Sequence, residues 1–305
     1  MKNPFFFPYH RVLASAPIWR WRNARAARFW HARCVPLSAP AERIVREVKR
    51  EGIAEAPLAE LFGGVLFGEL LVAARAFFDA TDFVQKVAAQ REGFARADGN
   101  KKDFFAYALG SPLGKKESLP LRHPLIRFAL DEALVAIAAG YFGFAPQFAS
   151  FSLLQTLVSS GGEKAKFSQR WHRDPEDKKI VKVFLYLNDV NAGTGPFSYI
   201  KKSHGVGKWR HLYPQVPPFG SYPPDGALEK IIPPEDIAVC TAPAGTLIFA
   251  DTSGFHRGGF CTEKDRYHFV AAFTSLAATQ PITYLKPSLY DASSLGPLGR
   301  FAVGL

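Results

Sequence analysis

His172 and Asp174 stand two residues apart in QRWHRDPEDKKIVKVFLYLNDV, Gln169 to Val190, just ahead of a run that alternates like a β-strand. Side chains two apart on an extended chain project from one face, so an imidazole and a carboxylate at this spacing can meet at a shared metal ion. The competing reading is an exposed, salt-bridged turn, because Arg170, Arg173, Glu176, Asp177, Lys178 and Lys179 crowd the pair. A third ligand is offered by His256 in GTLIFADTSGFHRGGF, after an apolar strand and beside Gly258 and Gly259, where the backbone can approach closely. Taken alone, His256 reads as an ordinary core or loop histidine. Two histidines and one carboxylate on strands of a β-core make a facial triad, the donor set that holds Fe(II) on one octahedral face and leaves three positions open. Farther on, Arg266 opens the otherwise apolar strand of EKDRYHFVAAFTS. Burying a guanidinium is costly unless an anion meets it, and its fork matches a carboxylate. Arg266 therefore suits the distal carboxylate of a dicarboxylate cosubstrate whose other end chelates the metal; a surface salt bridge to Asp265 or Glu263 is the alternative.

These residues need a scaffold, and the chain supplies two textures. From Phe151 to about residue 280, FSLLQTLVSS, IVKVFLYLNDV, NAGTGPFSYI and PAGTLIFADT read as strands separated by Gly and Pro turns, which indicates a sandwich or barrel. Before that, residues 41–150 read as helical: APAERIVREVKREG carries Ile44, Val45 and Val48 at helical spacing, Phe67–Gln90 is one long helix or a pair, and His123–Gly143 is another. Leu125, Phe128, Leu130, Leu134 and Ile137 are expected in the core. The expected organisation is a basic aromatic arm over residues 1–40 and a single domain over 41–305, with a helical half at 41–150, a β-core at 151–280 and a tail at 281–305.

A chain of 305 residues with 48% hydrophobic content can bury a sizeable core. Cys34, Cys240 and Cys261 are odd in number and form no C-x-x-C pair, which speaks against a disulfide framework and a zinc ribbon, and a cytoplasmic setting is expected. No apolar run is long enough to span a membrane. Of the net charge of +11, residues 1–50 hold +9, so the basicity belongs to the N-terminus and supports no specific nucleic-acid partner. There, Trp19, Trp21, Phe29 and Trp30 alternate with arginines, a pattern suited to an anionic membrane surface or to gripping phosphates. The alternative is an arm whose aromatics pack on the domain while its arginines stay solvated.

Taken together, WHRD with VFLYLNDVNAGTGPFSYIKKSHG downstream, then GTLIFADTSGFHRGG and Arg266, resemble the phytanoyl-CoA dioxygenase-like family of Fe(II)/2-oxoglutarate-dependent oxygenases over about Phe151–Ser275. The resemblance implies a mainly β chain with α, a double-stranded β-helix (jelly roll, cupin-like) core flanked by N-terminal helices. It implies metal ligands His172, Asp174 and His256, 2-oxoglutarate on Arg266, and O2 as second cosubstrate. The implied activity is hydroxylation of an unactivated C–H bond of a small-molecule or carrier-bound substrate. The rival is a catalytically silent β-helix that keeps a metal or an anionic ligand. Gln155, on the strand before the triad, is a further cofactor-binding candidate or a packed amide. His204 and Asn188 read as structural, and His211 and His268 as ordinary surface or core histidines.

Overall fold

The computed structural model describes residues 6–33, 35–96, 104–110, 119–159, 165–216, 219–279 and 293–305; Cys34 and residues 281–292 of the expected tail lie outside them. Helices α1 (Phe6–Leu13), α2 (Ala16–Arg22), α3 (Ala24–Arg33), α4 (Ala39–Glu51), α5 (Leu58–Phe62), α6 (Leu66–Phe78), α7 (Thr81–Arg96), α8 (Pro124–Ala129) and α9 (Glu132–Phe142) occupy the N-terminal half, and α10 (Pro297–Ala302) closes the chain. The strands are β1 (Ile53–Pro57), β2 (Phe105–Leu109), β3 (Gln147–Thr156), β4 (Val181–Tyr186), β5 (Phe197–Ile200), β6 (Ile237–Cys240), β7 (Thr246–Asp251), β8 (His256–Gly258) and β9 (Arg266–Thr274).

Alternation decides how the strands stack. In β4, VKVFLY, the side chains of Val181, Val183 and Leu185 join the cluster beneath the helices, whereas Phe184 and Tyr186 join a second cluster with Phe197, Tyr199 and Cys240. The same parity runs through β9, where Phe269, Ala271 and Phe273 face the helical layer. An antiparallel six-stranded sheet, ordered β1-β7-β4-β9-β3-β2, thus carries helices on one face and a three-stranded sheet, β6-β5-β8, on the other. The chain at His172 extends the smaller sheet by pairing with His256. This is a double-stranded β-helix core, and the candidate site residues sit between its two sheets.

Two strands fall inside the stretch whose periodicity reads as helical. IAEAP of β1 is rich in helix-favouring Ala and Glu, yet it pairs with β7 from Ile53 opposite Ala250 to Pro57 opposite Thr246, so a free sheet edge overrides local propensity. Gly52, at φ 85° between α4 and β1, makes the turn, and a Cβ there would fall 2.4 Å from the Tyr199 hydroxyl. β2 pairs with β3, which begins at Gln147 rather than at the expected Phe151. The helical run at 123–143 is two helices, because Asp131 caps α9 by accepting a hydrogen bond from the Ala133 amide at 2.8 Å.

Helices α2 and α3 lie against the domain. Trp19 donates through Nε1 to Asp177 Oδ1 at 2.7 Å, the Ala26 carbonyl accepts from the Ala145 amide at 3.2 Å, and Phe29 meets Phe301 of α10 in a tilted ring contact with centroids 4.3 Å apart. Trp19, Phe29 and Trp30 pack against the helical core, whereas Trp21 is 76% exposed.

Candidate metal centre

His172 and Asp174 lie in an extended segment rather than a continuous strand. His172 exchanges backbone hydrogen bonds with His256 at 3.0 and 3.1 Å, and the Asp174 amide donates to the Thr252 carbonyl at 2.9 Å, so the loop after β7 positions both ligands. His256 begins β8, which pairs with β5 through Tyr199 opposite His256. All three side chains are buried. His172 Nε2 lies 3.5 Å from Asp174 Oδ1, His256 Nε2 lies 3.4 Å from Asp174 Oδ2, and one ligand atom from each residue falls within 4.8 Å of the others.

The ring orientations are set from outside. His172 Nδ1 donates to the Arg170 carbonyl at 2.9 Å and His256 Nδ1 donates to the Gly254 carbonyl at 3.0 Å. A carbonyl can only accept, so each Nδ1 carries a proton, which leaves each Nε2, the ring atom facing Asp174, as the metal-binding position. Burial, with His172 adjacent, lowers His256 to about 3, which keeps it neutral and able to ligate. Burial alone would raise Asp174, but the Lys182 ammonium, with His256 and His172 behind it, holds the carboxyl well below the ordinary range. Lys182 Nζ sits 2.7 Å from Asp174 Oδ2, and that partner raises the lysine against the opposing effect of burial. Two imidazoles held through Nδ1 and one ionised carboxylate converging on a buried point are suited to a divalent cation.

Arg266, at the start of β9, is 4% exposed and opens onto the same cavity as the triad, a space of about 200 Å³. Its Nη2 donates to Thr156 Oγ1 at 3.3 Å, while Nε and Nη1 have no hydrogen-bond partner. The salt bridges weighed against this role do not form. Asp265 engages Arg91 and Gln155, and Glu263 lies near Asn191. Gly258 of β8 leaves room for the guanidinium, since a Cβ there would stand 3.2 Å from Arg266 Nη2.

Gln155 is not brought to the centre. It pairs with Tyr267 across β3 and β9 and donates to Asp265 Oδ2 at 2.5 Å and to the Tyr267 hydroxyl at 2.8 Å, on the face away from the cavity. Its neighbour Leu154 lines the cavity instead, because successive residues of a strand face opposite ways. Two further residues line the cavity: Lys182, which the sequence reading does not single out, and His268, which it reads as an ordinary surface or core histidine. Lys182 carries the only charge in β4 and shares a face with Phe184 and Tyr186, a signal visible in the sequence once that face is known to point inward. His268, two residues after Arg266, is 5% exposed and lines the cavity, its Nδ1 lacks a hydrogen-bond partner, and burial lowers its pKa well below the ordinary value. His204, by contrast, contacts the Lys49 carbonyl, and Asn188 ties its loop to Asp265 and Tyr267. Arg257 pairs with Glu229 at 3.3 Å, away from the cavity. Among the described residues no helix is long and apolar enough to cross a membrane.

No family model matches the chain, and no curated protein does. Among solved structures, EctD from S. alaskensis with 2-oxoglutarate and 5-hydroxyectoine superposes at a TM-score of 0.53 and 16% identity, over 85% of this chain and 84% of that one. EctD from the same source with bound Fe superposes at 0.52 and 17% identity, over 87% and 86%. The epimerase SnoN, solved with Fe3+, alpha ketoglutarate and nogalamycin RO, superposes at 0.49 and 17% identity, over 81% and 88%. At this identity the EctD likeness is one of fold.

Proposed function

We propose that the chain is an Fe(II)- and 2-oxoglutarate-dependent dioxygenase of the phytanoyl-CoA dioxygenase-like kind that hydroxylates an unactivated C–H bond of a small or carrier-bound metabolite. The observation that carries this reading is the pairing of a buried two-histidine, one-carboxylate cluster with a buried, partly unserved guanidinium on one cavity. The donor set fits Fe(II), with open positions left for a chelating cosubstrate. The unpaired Nε and Nη1 of Arg266 fit the fork of a carboxylate. The EctD structures, solved with 2-oxoglutarate and with Fe, are consistent with both assignments.

When bound, Fe(II) with 2-oxoglutarate and O2 supplies an oxidant able to attack an unactivated C–H bond, 2-oxoglutarate leaving as succinate and CO2. The chain's own contribution is orientation and exclusion of water. His172, Asp174 and His256 hold the ion, and the Arg170 and Gly254 carbonyls keep both imidazoles in the ligating tautomer. Arg266 anchors the far carboxylate of the cosubstrate. Phe184, Phe197, Leu154 and Val270 form apolar walls around the reacting centre, and Ser150 and Ser152 give the wall formed by β3 a polar stripe.

Succinate release from Fe(II)-loaded protein given 2-oxoglutarate and O2 tests the proposal. Turnover that disappears in His172→Ala is expected. No succinate across a broad panel of candidate substrates, from protein that binds the metal, overturns it in favour of a silent β-helix.

A further inference from the structure

We propose that a basic cleft on the outer side of the metal-ligand segment binds the dianionic oxygens of a phosphomonoester. The residue between the two ligands, Arg173, points away from the metal centre, as alternation requires. It forms one wall of a cleft of about 340 Å³ with Arg11 of the N-terminal arm, Lys178, Arg210, Gln215 and Ser253, and among the described residues no Asp or Glu lines it.

Two of these groups are buried, and each has one polar atom without a partner. Arg173 is 3% exposed; its Nη1 donates to the Ser203 and Ser253 carbonyls at 2.6 and 2.7 Å, its Nη2 to the Trp209 and Leu212 carbonyls at 3.2 and 3.1 Å, and its Nε has no partner. Carbonyl oxygens fix the fork without cancelling its charge. The carboxylate that acts on it, Asp251, is directed to the Tyr141 hydroxyl and to the Ile180 and Ser253 amides. Ser253, 4% exposed, has a hydroxyl with no partner. A buried charge without a counter-ion is costly, and a ligand anion would relieve that cost.

The rim fits the same ligand. Arg11, Lys178 and Arg210 are exposed and form no ion pair among the described residues; Arg210 Nη1 donates only to the Gly207 carbonyl at 3.2 Å. Four cations and a free hydroxyl around one opening suit a tetrahedral oxyanion of charge near −2 better than a planar monoanionic carboxylate. Such a group is offered by a soluble phosphorylated molecule or by an anionic lipid headgroup, and Arg11 places the arm at either.

Titration of the full-length protein with inorganic phosphate at low salt should show saturable binding that weakens as NaCl rises. The double variant Lys178→Ala/Arg210→Ala alters only exposed side chains, so Tm should hold while the Kd rises tenfold or more. The second arm uses phosphatidylcholine vesicles with and without phosphatidic acid. Vesicle binding lost in the double variant assigns the phosphate to a headgroup; phosphate binding without vesicle binding assigns it to a soluble ligand. Absent phosphate binding, or an unchanged Kd in the double variant, overturns the proposal. Vesicle binding that survives the double variant, with no phosphate binding, also overturns it, because the other arginines of the arm would then be responsible.

Discussion

Replacing Arg266 with Met should make the ligand-free protein more stable and at the same time remove most of its response to 2-oxoglutarate. The wild-type guanidinium is 4% exposed, has one hydrogen bond at 3.3 Å and leaves two nitrogens unserved. An unsatisfied buried donor costs about 1–3 kcal/mol, and the hydrogen bond lost to Thr156 is worth about 1 kcal/mol. Water entering the cavity serves the two donors in part, so the net gain expected is about 1–2 kcal/mol, a rise in Tm of about 2–4 °C for a chain of this size. Methionine fills most of the vacated volume, so little cavity penalty arises. Against this, the variant loses two charge-assisted hydrogen bonds to the cosubstrate, each worth about 1.5–3 kcal/mol, which predicts a loss of affinity of about 100-fold or more. The assay is thermal unfolding of anaerobic, Fe(II)-loaded protein with and without 2-oxoglutarate. At about 100 times its Kd the cosubstrate should stabilise the wild type by about 2.7 kcal/mol and the variant by no more than about 0.4 kcal/mol. A lower Tm in ligand-free Arg266→Met, or equal stabilisation of both proteins, would refute the reasoning.

His172→Ala and His256→Ala should each abolish succinate release and weaken iron binding by at least about tenfold, whereas Gln155→Ala should spare turnover and lower stability by about 1–2 kcal/mol for its two hydrogen bonds; iron titration and urea melts separate the two behaviours. Because burial depresses His268, the folded protein keeps it neutral while the unfolded chain protonates near pH 6.5, so its contribution to stability is present above that pH and is lost as pH falls below it. Urea melts from pH 7 to 5 should therefore show a slope that His268→Phe reduces by about 1.4 kcal/mol per pH unit, and an unchanged slope would count against a neutral buried imidazole. Trp19→Ala should cost about 2–3 kcal/mol, since it removes packing against Phe144 and the hydrogen bond to Asp177; a change under about 0.5 kcal/mol in denaturant melts would mean that the arm is not docked in solution.

The convergence of the centre's side chains is largely legible in the sequence, because it depends on local geometry and on residue type. Two side chains two apart converge in any extended segment, so His172 and Asp174 meet whether or not the segment is a formal strand. An arginine at the head of an apolar strand stands out because burying its charge demands a partner, and Arg266 lies buried on the triad's cavity. What parity and pairing determine was not legible. Gln155 and Leu154 are one residue apart, and only the register of β3 against β9 decides that the leucine faces the cavity and the amide does not. Lys182 and His268 reach the cavity by the same rule, since the inward face of β4 and β9 is chosen by the helices that cover the other one. IAEAP became a strand because β7 offered it an edge nearly two hundred residues away, and Trp19 came to rest on Asp177, 158 residues away. Neither follows from local propensity, because the free energy that selects them comes from surfaces that exist only once the chain has folded.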